Sequence, residues 1–104
     1  MRALRPREKG IIQAMSIEVS IHQALRHLTN GQATVTVNGN TVGQCLNDLV
    51  NQFPGIKPKI FDTKGKLLNY VDIYVNLESS YPEELAMSVK DGDRLHITLI
   101  IAGG

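Results

Sequence analysis

The chain has 104 residues, 42% of them hydrophobic and 20% charged, with a formal net charge of +1. That is the size and make-up of one ordinary globular domain, and so small a charge supplies no overall field for nucleic acid. A single cysteine excludes an internal disulfide and a CxxC metal pair, and no apolar run approaches the length of a membrane span.

Residues 1–14 show weak periodicity, broken by Pro6 and Gly10, and carry Arg2, Arg5, Arg7 and Lys9 against Glu8. They read as a flexible N-terminal extension. They lack the apolar core of a secretory signal, so the expected location is cytoplasmic. Met15 is a second candidate start, directly before the first regular pattern. Ile17–His22 alternates apolar and polar residues, the mark of a half-buried strand. Asn30-Gly31 is a turn signal, and Ala33–Val37 is a second alternating strand, so a hairpin with a longish connection is expected.

Val42, Cys45, Leu46, Leu49, Val50 and Phe53 then fall on one helical stripe. Thr41 and Gln44 are spaced as a capping box, and Pro54-Gly55 stops the helix. Ile56–Lys66 is a connector in which Ile60 and Phe61 tuck under the helix end. A third strand spans Tyr70–Asn76. A polar connector containing Tyr81-Pro82 leads to Leu85–Val89, read as a short edge strand. Lys90-Asp91-Gly92-Asp93 is a tight turn. The last strand places Leu95, Ile97, Leu99 and Ile101 on one face and Ile100 on the other, where it is a candidate for partner docking. One amphipathic helix across a mixed sheet of four to five strands is an α+β solution. The β-grasp arrangement satisfies it, with the first and last strands parallel at the centre. The predicted organisation is an extension over 1–14, a domain over 15–101 and a flexible tail over 102–104.

That tail, Ala102-Gly103-Gly104, is the most pointed feature. Glycine has no Cβ, so a diglycyl end is thin enough to thread a narrow channel. At glycine's average usage of about 7%, two in succession at a terminus arise by chance in roughly one chain in two hundred. A terminal carboxylate is a poor electrophile and must be activated before anything attacks it. The tail therefore suits a protein that is itself the substrate of an activating enzyme.

The side chains offer little chemistry of their own. Cys45 lies in the apolar stripe and reads as a buried structural thiol. His22, His27 and His96 lack metal-ligand spacing. Asp91 and Asp93 read as turn residues, and Asp72 with Glu78 as a solvated pair. No phosphate-binding glycine loop is present. Lys57, Lys59, Lys64 and Lys66 form a modest basic cluster, read as solubilising, with docking to an acidic partner as the other reading.

From Ile17 to Gly104 the chain resembles the ThiS/MoaD sulfur carriers, which are ubiquitin-like β-grasp proteins. The resemblance rests on the opening strand, Thr41-Val42-Gly43 leading into the helix, Val71–Asn76, Lys90-Asp91-Gly92-Asp93 and the terminal Ala102-Gly103-Gly104. Val19-Ser20-Ile21, Leu25-Arg26, Leu28-Thr29 and Gly31-Gln32 are most similar to the branch paired with cysteine-synthase-like enzymes. The resemblance implies a carrier rather than an enzyme, with no catalytic residue, metal or bound cofactor of its own. A ubiquitin-activating-enzyme-like adenylyltransferase would use ATP and magnesium to adenylate Gly104. A sulfur donor would then convert it to a thiocarboxylate for a sulfur-accepting enzyme, either cysteine-synthase-like or the large subunit of molybdopterin synthase. Gly103 and Ala102 would be the tail required for activation. Two other implied roles are the small subunit of molybdopterin synthase and a ubiquitin-like modifier conjugated through Gly104. The sequence does not choose among cysteine, thiamine, molybdopterin and other sulfur pathways.

Overall fold

The computed structural model describes residues 16–100. The extension expected over 1–14 and the tail expected over 102–104, together with Met15 and Ile101, lie outside the described residues. The strands are β1 (Ser16–Ser20), β2 (Thr34–Asn38), β3 (Val71–Val75), β4 (Glu78–Ser79) and β5 (Arg94–Leu99); the helices are α1 (Val42–Gln52) and the short α2 (Lys57–Ile60). They form one five-stranded sheet in the order β2-β1-β5-β3-β4. β1 pairs antiparallel with β2 as the expected hairpin and parallel with β5, Val19 opposite Leu95. β3 runs antiparallel to both β5 and β4. This is the β-grasp arrangement, with the last strand at the centre.

Alternation along the strands decides which face is covered. Ile17 and Val19 of β1, Val35 and Val37 of β2, Ile73 and Val75 of β3, and Leu95 and Ile97 of β5 are buried on one side. Val42, Cys45, Leu46 and Leu49 of α1 close over them, all at 0% exposure. Each larger side chain contributes about 1.5–3 kcal/mol by leaving water. Ile60 and Phe61 are buried beyond the helix end, as expected. No helix among the described residues is long and apolar enough to cross a membrane.

The start of α1 is built as the sequence predicts, with one change. The Gln44 N–H donates to Thr41 Oγ1 at 3.1 Å. The Gln44 side chain, however, accepts from the N–H of Asn40 at 2.7 Å instead of reaching the cap residue. The outer edge of β2 is tied to the same helix. Asn38 N–H donates to Asp48 Oδ2 at 2.9 Å, and Gln52 Nε2 donates to the Thr36 carbonyl at 3.0 Å.

One segment differs from the sequence reading. Leu85–Val89 is not a strand: Glu84–Ala86 forms a 3-10 turn. Beyond it the Met87 carbonyl accepts from Val42 N–H, and Val89 N–H donates to the Asn40 carbonyl. The segment thus pairs with the lead-in to α1, and the short edge strand is Glu78–Ser79. The connection between β1 and β2 contains a 3-10 helix, Gln23–Leu28, begun by the N–H of Ala24 donating to His22 Nδ1 at 3.0 Å.

Gly39 makes a close approach between β2 and α1. A Cβ there would stand 2.7 Å from the Cys45 backbone nitrogen and 2.9 Å from Gln44 Cβ. Gly39→Ala is therefore expected to lower stability by about 1–3 kcal/mol in a urea titration.

Candidate functional site

The site is the place where β5 hands the chain on toward Gly104. β5 is flanked by β1 through His96 and by β3 through Leu99. One residue further on, Ile100 N–H still donates to the Tyr70 carbonyl at 2.7 Å. Ladder pairing thus fixes the chain direction four residues before Gly104. Leu95 and Ile97 are buried and Leu99 is half-buried. His96, Thr98 and Ile100 alternate onto the open face of the sheet. Ile100 is 56% exposed there, so the expected docking candidate does face outward.

Its surroundings are apolar and mixed in charge. Tyr70, directly opposite Ile100 in the ladder, is 48% exposed, and Tyr81 is 72% exposed. Further along the same face Asp72 stands opposite Thr98 and Tyr74 opposite His96. Thr98 Oγ1 donates to the Asp72 carbonyl at 2.8 Å. Glu18 and Arg94 form an ion pair at 2.7 Å at the far end. Beside Ile100 lies a cleft of about 540 Å³ lined by Lys66, Leu68, Asp72, Tyr81 and Glu84 among others. No local pattern of residues signals this cleft. Its walls lie far apart in the chain and meet only because β3 neighbours both β5 and β4.

Comparison with known proteins agrees with this geometry. The model of the ThiS family matches residues 19–104. The sulfur carrier protein CysO of Mycobacterium tuberculosis is 39% identical over 93 residues, which span 86% of this chain and all of that protein. In the solved complex of BexX and CysO from Amycolatopsis orientalis, the matching chain has a TM-score of 0.77 at 36% identity, covering 85% of this chain and 99% of that one. SAMP1 from Haloferax volcanii has a TM-score of 0.75 at 27% identity, covering 86% and 99%.

Several of the other sequence candidates hold the fold together. Asp91 Oδ1 accepts from Ser16 N–H at 2.8 Å and Asp93 Oδ2 from Lys90 N–H at 2.9 Å, so both build the turn into β5. Glu78 is exposed, while Asp72 is half-buried and accepts from the Ser79 hydroxyl, 2.9 Å from each of its oxygens. His22 caps its 3-10 helix. Among the described residues no three His, Cys, Asp or Glu side chains gather as a metal site would. Cys45 is buried, and burial, with the Asp48 carboxylate adding to it, pushes its thiol from 9.0 up to about 11.

Native Cys45 is thus expected to react with iodoacetamide at least about 100-fold more slowly than in unfolded protein at pH 8, because the thiolate is the nucleophile. The same shift sets a pH dependence. Below pH 9 the thiol is neutral in both states, and its contribution to stability is fully present. As pH climbs from 9 to about 11 only the unfolded state ionises, and that contribution is lost. Cys45→Ala should fall less steeply than the parent over that window in denaturant titrations.

Proposed function

The chain belongs to the ThiS family, and on that premise we propose that it is a sulfur carrier whose reactive group is the carboxylate of Gly104. The observation that carries this reading is the 39% identity to a sulfur carrier along that protein's whole length. The fold supports it by running the central strand outward to an exposed Ile100, short of Ala102-Gly103-Gly104.

In this reading a Gly104 carboxylate oxygen attacks the α-phosphorus of ATP in an adenylyltransferase of the ubiquitin-activating type, and pyrophosphate leaves. Magnesium in that enzyme offsets the phosphate charge. The acyl-adenylate makes AMP the leaving group. A sulfur donor displaces it and leaves a thiocarboxylate, whose sulfur goes to an accepting enzyme. The likeness to the CysO proteins supports a cysteine-synthase-like acceptor. The carrier acts as a substrate and supplies no catalytic side chain, and its place is the cytoplasm, where ATP is available. Gly103 is required because a Cβ would crowd the channel through which the tail passes, and Ala102 extends the same thin segment. Ile100 supplies an apolar contact at the channel mouth.

The likeness to a small archaeal modifier protein supports a second reading, in which Gly104 is joined to lysine amines of other proteins. Conjugates that persist under reducing denaturation would identify it.

Incubation with the activating enzyme, ATP, magnesium and sulfide is expected to add the mass of one oxygen replaced by sulfur, located by fragmentation at Gly104. One residue appended after Gly104 should abolish that gain; its persistence overturns the assignment. Gly103→Val should slow the reaction by about 100-fold, since small misplacements of a reacting group cost that much. Ile100→Ser should raise the KM for the carrier by about tenfold, the loss of one well-placed apolar contact, without lowering its Tm.

A further inference from the structure

The cleft beside Ile100 is lined by side chains of both charges, contributed by different segments. The segment leading into β3 carries Lys66, with Lys64 two residues before it; both are exposed. The acid of that segment, Asp62, accepts through Oδ1 from the backbone N–H groups of Lys64 and Lys66, at 2.8 and 3.0 Å. Exposed Lys57 lies along an adjoining groove that shares Leu68 with the cleft. Other parts of the lining carry Asp72, on β3, and Glu84, with exposed Glu83 next to Glu84 in sequence. The Ser79 hydroxyl orients the Asp72 carboxylate. Glu84 occupies left-handed backbone, φ +50°, which a residue with a Cβ adopts at a cost. Its N–H is held by the Ser80 carbonyl at 2.7 Å. Among the described residues the one ion pair is Glu18–Arg94, so no such pair ties these lysines to these acids.

Gly104 is four residues beyond Ile100, and four residues span at most roughly 14 Å. A protein acting on the Gly104 carboxylate therefore comes within roughly 14 Å of Ile100, at the rim of this cleft. We propose that the cleft sets the polarity of docking by the activating enzyme. That enzyme places acidic side chains against Lys57, Lys64 and Lys66, a basic side chain against Asp72 and Glu84, and an apolar group on Ile100 and Tyr81 between them. Turned half-way round, the same surfaces bring like charges together and are repelled. The charge pattern thereby selects the one approach that aims the tail into the channel. The inference rests on Gly104 being the activated residue.

The test is ATP–pyrophosphate exchange by the adenylyltransferase of the same organism, with the full-length carrier as variable substrate. Two variants are compared with the parent: Lys64→Glu with Lys66→Glu, and Glu84→Asn, asparagine being tolerant of left-handed backbone. Each is expected to raise KM by about tenfold at low salt with kcat unchanged, and the difference should shrink as salt screens the charges. Equal KM values for parent and variants, with the parent active, overturn the docking polarity and leave the Gly104 reading standing. No exchange with the parent overturns the Gly104 reading and the docking polarity with it. A parent that sediments as a dimer dispersed by either variant assigns the cleft to a second copy and also overturns the proposal. Thermal unfolding of both variants establishes that they are folded.

Discussion

The parallel pairing of β1 with β5 is the constraint on which the rest depends. Val19 opposite Leu95 joins the first strand to the last, and everything between has to cross from one to the other. A parallel pair cannot be closed by a tight turn and needs a long crossover. The chain supplies one with β2, α1, α2 and β3, and α1 falls across the apolar face that the two central strands expose. Because β5 is central, its start is fixed from both sides and its end from β3, so the chain leaves the sheet in a set direction. The position of Ile100 follows from that pairing and needs no further device.

The sequence was most legible where periodicity is long. The stripe from Val42 to Leu49 returns as fully buried positions, and the alternation in β1, β2, β3 and β5 returns as a covered and an open face. Short segments were misread because local composition there is outweighed by tertiary partners. Leu85–Val89 has strand-like residues, but its backbone groups pair with Asn40 and Val42 ahead of α1, a demand no window of sequence displays. β4 has two residues, too few to show a period, and exists because Glu78 and Ser79 lie beside Val75 and Tyr74. Of the candidate site, Ile100 was visible from alternation alone. The cleft beside it was invisible, since Lys66 and Glu84 come to line one cleft only after β3 is placed.

The described domain engages several of its more reactive side chains internally. Its one thiol is packed against Gly39 and held protonated by burial, so it offers no competing home for an activated sulfur. Its aspartates at the turn into β5 are spent on backbone N–H groups. What remains presented to solvent near the end of β5 is shape, charge and apolar contact, the properties by which one protein is recognised by another.

The ties from Asp48 and Gln52 to β2 have a consequence for the protein's behaviour in bulk. β2 lies at the margin of the sheet, and bare amide and carbonyl groups on such a margin invite a neighbouring molecule to add its own strand. With the Asn38 amide and the Thr36 carbonyl already answered from within the molecule, that side of the sheet is poorly suited to chain growth. Addition of a second copy along that edge is thereby discouraged.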